Sequence, residues 1–135
     1  MIRTREQVRA QKAFEHAESL KNSDGRGEKD DYGRYAHKLP ILIRTAGLAQ
    51  AIAFTEAKDR GGALKLLDHL AEQAQACGLL EGGKTVNRTV LGAASRSADL
   101  AAYRMLTHEI QACLVWYKRF AVSVLDVEAG EDGGK

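Results

Sequence analysis

Residues Leu100–Leu125 read LAAYRMLTHEIQACLVWYKRFAVSVL, and their spacing decides the fold class. Leu100, Tyr103, Leu106, Ile110, Leu114 and Tyr117 recur at intervals of three and four, and Ala121 and Val124 continue the series. That period places one apolar stripe along an α-helix. The pattern predicts a helix from about Ser95 to Leu125, about 30 residues or ~45 Å long. The end of the stretch, VSVLDV, also suits a strand, but one isolated strand would have no partner. Trp116 and Phe120 stand one turn apart as a packed aromatic pair, with Tyr117 on a different side. Lys118 and Arg119 read either as solvated charges beside a core anchor or as a partner-binding edge.

The rest of the chain repeats this period in shorter pieces. Thr4 and Gln7 have the spacing of a capping box, in which each side chain satisfies a backbone donor of the other, so a first helix is expected over residues 4–21. Residues 23–31, SDGRGEKDD, offer almost nothing to bury and read as a polar connection. Tyr32 to Lys58 reads as two helices broken at Gly47, the first of them kinked or divided at Pro40, the only proline. Arg60-Gly61-Gly62 makes a turn. Leu64, Leu67, Leu70, Ala71 and Ala74 predict a strong helix from Ala63 to Cys77, with Gly78 as its carboxyl-terminal cap. Residues 79–98 are ambiguous, with a short helix or irregular linker at about 85–91 preferred. The expected architecture is all-α: a compact bundle of five to seven helices with a long C-terminal helix. Residues 1–125 are expected to form a single domain and residues 126–135 an acidic, disordered tail.

Composition agrees with a soluble single domain. The 135 residues are 44% hydrophobic and 28% charged, with a mean hydropathy of -0.34. That supplies a core without staples and leaves no room for a large doubly wound sheet with a second domain. Cys77 and Cys113 fit neither a metal-ligand spacing nor a disulfide framework. No apolar run approaches the ~20 residues of a membrane span, and MIRTREQVRAQK lacks the apolar core of a signal peptide. A cytoplasmic protein with no membrane partner is expected.

Catalytic chemistry is hard to find. His16, His37, His69 and His108 form no paired metal-binding motif and read as surface or helix-packing side chains. Asp68 and Glu72 share a helix face but have no visible pocket to separate their pKa values. Gly78-Leu-Leu-Glu-Gly-Gly83-Lys84-Thr85 matches the phosphate-loop pattern literally. It follows a leucine-rich helical segment instead of a strand, so its amides have no reason to converge on phosphates, and a helix-terminating linker is the better reading. No enzyme activity, cofactor or metal is expected.

Charge is more informative. The formal net charge is +2, but residues 126–135 hold four acids against one lysine, so residues 1–125 carry +5. From Tyr32 through Thr55 there is no acid at all, while Arg34, Lys38 and Arg44 supply three cations. Arg34 and Lys38 are one turn apart, and Tyr32 and Tyr35 flank them. Such a strip can contact phosphates while a tyrosine packs on a base, but from periodicity alone a bundle helix with a basic solvent face is the preferred reading. Arg88, Arg96 and Arg104, spaced by eight, would add a second basic face if one helix carried all three.

Lys38-Leu-Pro-x-Leu-Ile-Arg44-Thr-x-Gly47-Leu-x-Gln50, followed by Phe54, resembles the small all-helical subunit of type III-B CRISPR effector complexes, the fifth protein of the Cmr (RAMP) module. The Leu67-x-x-Leu70 helix and the late Trp116-x-Lys118-Arg119 helix resemble that family too, and the likeness spans residues 4–125. It implies a non-catalytic subunit in antiviral defence that stacks into a short filament lining the channel for crRNA and target RNA. The implied partners are the backbone and large Cmr subunits, neighbouring copies of the same chain, and the RNA. Lys38 and Arg44 would face RNA or a neighbouring subunit. An autonomous helical protein–protein adaptor with incidental basicity is the alternative.

Overall fold

A computed structural model describes residues 2–23, 25–81 and 85–130 of the chain. Helix α1 (Arg5–Lys21) begins at the expected capping box: Gln7 N–H donates to Thr4 Oγ1 at 3.0 Å, and Thr4 N–H donates to Gln7 Oε1 at 2.9 Å. Its inward face is Ala13, Ala17 and Leu20.

Helix α2 (Arg26–Ala46) differs from expectation at its start, which lies inside the segment read as a connection. Local ion pairs support these first turns, Arg26–Asp30 at 2.9 Å and Arg34–Asp31 at 2.7 Å. Tertiary contact supplies the rest. The absent side chain of Gly62 lets another helix lie against the α2 backbone, since a Cβ there would collide with the Glu28 carbonyl oxygen and the Tyr32 nitrogen. Pro40 does not divide the helix. Its ring removes one backbone donor, and its carbonyl accepts from Gln111 Nε2 at 3.0 Å.

Gly47, at φ +90°, turns the chain from α2 into α3 (Leu48–Lys58), as expected. Helix α4 (Gly61–Ala76) buries Leu66, Leu67, Leu70 and Ala74. It closes on Gly78 at φ +84°, with Leu79 N–H reaching back to Ala74 O at 2.9 Å, the hydrogen bond of a glycine-terminated helix. The expected short helix at 85–91 lies later, as α5 (Arg88–Ser97), because Asn87 is its cap, accepting from Thr89 and Val90 N–H. The late helix correspondingly starts later than Ser95. Ala98 is extended and Asp99 caps α6 (Leu100–Ser123), accepting from Ala102 N–H at 2.9 Å.

Among the described residues there are six helices and no strand, so the bundle and its long final helix are as the spacing implied. Helix α6 packs between α1 and α2, α4 packs on α2, and α5 closes over α3 and α4. The core holds Tyr32, Leu39, Leu67, Leu70, Leu91, Ile110, Leu114 and Tyr117, all essentially inaccessible to water. Beyond α6, Leu125 is buried, and Val127 lies against Gly33 while its carbonyl accepts from His37 Nε2 at 3.0 Å. Residues 126–130 continue without helix, and 131–135 lie outside the described residues. No helix of the described residues is long and apolar enough to cross a membrane.

Candidate RNA- and subunit-binding surface

The acid-free strip falls on α2 and α3, and the structure adds a residue that charge counting omitted. Lys38 lies with Nζ 5.2 Å from the Tyr35 ring centroid and 5.3 Å from that of Phe54. Lys58 approaches Phe54 at 5.0 Å. Two ammonium groups therefore bracket a partly exposed aromatic ring at the α2–α3 corner. Arg44 and Ile41 are exposed on α2, and among the described residues Arg44 has no carboxylate partner. Arg34 differs: its guanidinium is held by Asp31 at the far end of the strip.

The remaining sequence candidates separate. Arg88 is anchored to Asp68, its backbone N–H donating at 2.8 Å and its guanidinium at 3.0 Å. Arg96 is exposed on α5 and Arg104 on α6, so the break at Ala98–Asp99 keeps the three arginines off any single helix. Lys118 is exposed on α6. Arg119 lies 5.7 Å from the Trp116 ring centroid. Trp116 itself is anchored: its ring stacks on Phe120 at 5.9 Å, and its Nε1–H donates to Glu6 at 3.0 Å.

Sequence reasoning missed a buried polar seam between α1, α4 and α6. Glu109, only 5% exposed, receives Arg9 in a two-pronged ion pair with contacts of 2.8 and 2.9 Å, and Arg5 at 2.8 Å. Burial alone would raise its pKa. The hydrogen bonds from Arg9 and the Cys113 thiol, with the charges of both arginines, outweigh burial and hold it below the usual carboxylate value. The same Glu109 bond raises the pKa of Arg9. One signal was present in the sequence, because Glu109 sits three residues after Leu106 and four before Cys113, on the core stripe.

Deeper in the seam, the His16 and His69 rings stack with centroids 3.8 Å apart and planes 8° from parallel. His16 bonds the Tyr117 hydroxyl at 2.7 Å and Glu72 at 3.0 Å, and His69 bonds the Tyr32 hydroxyl at 2.7 Å. Because Glu72 only accepts, His16 Nε2 carries the proton and its Nδ1 accepts from Tyr117, which in turn accepts from Gln73. Donor atoms of His16, His69 and Glu72 lie within 4.8 Å of one another. The arrangement does not converge on an ion, since parallel stacked rings direct their lone pairs in separate planes and both His16 nitrogens are already bonded. Burial pushes both histidines towards neutrality, His69 down to about 3. Tyr32 and Tyr117 are raised, mainly by burial. These groups tie α1, α2, α4 and α6 together.

The phosphate-loop match ends in residues outside the described set, Gly82 to Lys84. Its described first half follows helix α4, without the strand that a phosphate cradle needs.

Fold and surface together define a chemistry-poor helical module with exposed cations on α1, α2, α3, α5 and α6. Residues 5–124 match the family described as CRISPR-associated protein (Cas_Cmr5). The CRISPR system Cmr subunit Cmr5 of Thermus thermophilus is 38% identical over 125 residues, spanning 93% of this chain and 99% of the relative. The crystal structure of a CRISPR-associated Cmr5 family protein from the same organism superposes with a TM-score of 0.75 at 37% identity, covering 93% of this chain and all of the other. The chain belongs to the Cmr5 family of CRISPR-associated proteins, whose members are non-catalytic subunits of type III complexes.

Proposed function

We propose that this chain is a structural small subunit of a type III-B effector complex in antiviral defence, stacking with copies of itself beside the backbone and large subunits. Its α2–α3 corner faces the channel that holds crRNA and target RNA. The observation that carries this reading is the Lys38–Phe54–Lys58 group, with Arg44 exposed further along α2. It joins phosphate-seeking cations to a ring on which a base can stack, and two of its members, Lys38 and Phe54, lie in the interval without acids. Guide pairing would supply sequence specificity, leaving this surface to read backbone charge and shape. Few contacts per copy suffice, because copies along one strand add their effects.

The test compares assembled complexes carrying wild type, Lys38→Ala with Arg44→Ala, or Phe54→Ala. The expected outcome for the double variant is weaker target-RNA retention across unrelated guides and a shallower salt dependence, at normal subunit composition. Reduced incorporation would instead assign the corner to a subunit contact. Unchanged retention, salt slope and composition would move the RNA-facing role to Arg96, Arg104 or Lys118.

A further inference from the structure

Helix α6 carries two stripes. One is the core stripe described above; the other faces water. Met105, His108, Ala112, Val115, Arg119 and Val122 follow one another at alternating intervals of three and four, the spacing of a helix-packing seam. Met105 is 58% exposed, Val115 45% and Val122 38%. At the amino-terminal half the stripe opens into a groove of about 380 Å³ beside the chain that leaves α4. Leu79, Cys77 and Met105 form its apolar lining, and Arg5, Arg104 and His108 stand around it.

We propose that this outer face of α6 docks an amphipathic helix of a different protein chain, one whose apolar ridge is flanked by acids. Charge complementarity carries the choice of occupant. Between Asp99 and Asp126 the only acid is Glu109, which is buried and already neutralised by Arg5 and Arg9. The exposed titratable groups of α6 are Arg104, His108, Lys118 and Arg119. Apart from Glu6 of α1, which is engaged by Trp116 and Arg9, and the neutralised Glu109 in the groove wall, the charges along this ridge are cations, and they complement an apolar ridge edged by carboxylates.

A second copy of this chain does not meet that requirement. Two-fold pairing of α6 with itself would set Arg104, Lys118 and Arg119 against like charges. Elsewhere among the described residues, Phe54 has Lys38 and Lys58 over its ring and Ile2 adjoins Arg3, while Leu100 adjoins Asp99, a carboxylate already engaged in capping α6. Nucleic acid fits less well than protein. Methionine and valine between the cations find no counterpart in a phosphate backbone, and Trp116 on α6 is committed to Phe120 through its ring and to Glu6 through its Nε1–H. The inference rests on the subunit reading above in placing the partner within the effector complex, and it assigns Arg104, Lys118 and Arg119 to protein contact.

The experiment replaces both apolar anchors, Met105→Glu with Val115→Glu, and measures incorporation into the complex reconstituted from its sibling subunits and guide RNA. Both positions are exposed, so the isolated variant should keep its helical spectrum and melting temperature. The pair Met105→Gln with Val115→Gln answers the same question if the acidic pair disturbs folding. The expected result is at least a tenfold loss of incorporation, with a photoreactive residue at position 115 of the otherwise unchanged chain cross-linking to an acid-rich helix of another subunit. Wild-type incorporation matched by both variants would overturn the inference alone. So would a cross-link to RNA or to a second copy of this chain. A wild-type chain that does not incorporate would overturn the subunit reading and this inference with it.

Discussion

The α1–α4–α6 seam and the α2–α3 corner both gather charged and aromatic side chains, yet they treat them in opposite ways. In the seam, Glu109 receives two arginines, and each stacked histidine is bonded to a tyrosine hydroxyl. At the corner, Lys38 and Lys58 sit over the face of Phe54, and Arg44 stands in solvent. Inside, desolvation penalises any ion without a partner, so pairing is a condition of folding. Outside, water solvates a cation at little cost, so Arg44, with no carboxylate partner among the described residues, remains available to an external anion. Mutation should therefore damage stability in the first region and assembly or RNA retention in the second.

The largest effect should come from Glu109→Gln. It removes the buried counter-charge of Arg9, whose side chain is only 14% exposed, and leaves its guanidinium with the exposed Glu6 alone at 3.1 Å. Breaking a buried pair from one side costs about 3–5 kcal/mol. Arg5 is half in water and can rehydrate, which favours the lower end. Urea unfolding should show a lower midpoint at unchanged slope. A loss below about 1 kcal/mol would mean that this pair behaves like a surface ion pair, and the contrast between the two regions would fail.

Next in size is the response to acid. His16 and His69 have pKa values lowered in the fold, so the unfolded chain takes up their protons first as pH falls. Their contribution is fully present above the ordinary histidine value of 6.5, and for His69 it is lost as pH falls from there towards about 3. The slope is at most about 1.4 kcal/mol per pH unit for each histidine. Glu109 adds a second loss at lower pH, where the unfolded carboxylate protonates before the paired one. Melting temperature followed from pH 7 to 4.5 should decline, and His69→Gln should flatten the decline. Equal slopes in both proteins would remove His69 as the cause.

The sequence made the two regions unequally legible. Helices were readable wherever the cause was local: the Thr4–Gln7 box, the glycine stops at Gly47 and Gly78, and the apolar spacings of α4 and α6. The start of α2 was not, because residues 26–31 are held partly by α4 lying close at Gly62, a contact between distant parts of the chain. The place of α5 depended on Asn87 capping instead of a residue nearer Thr85. For the candidate surface, the missing acids pointed to α2, but Lys58 and Phe54 joined Lys38 only through the α2–α3 corner. The histidine stack was the least readable, since residues 16 and 69 meet only when α1 and α4 pack. Each histidine by itself looked ordinary.

The smallest expected effect on stability is also the sharpest test of the contrast. Phe54→Leu keeps an apolar side chain at the corner but removes the ring face under Lys38 and Lys58. An exposed cation–π contact is worth about 0.5–1 kcal/mol, and leucine retains part of the packing, so the urea midpoint should barely move. If the ring serves RNA, target retention in the assembled complex should fall by more than the stability change explains, because a lost base–aromatic stack costs about 1–3 kcal/mol. Phe54→Tyr should then restore retention, since it returns a stackable face. If the ring plays no part in holding RNA, the leucine and tyrosine variants should retain target as the unchanged chain does. A large loss of stability with leucine would make Phe54 a core residue in all but exposure, and the corner would join the seam as a structural element.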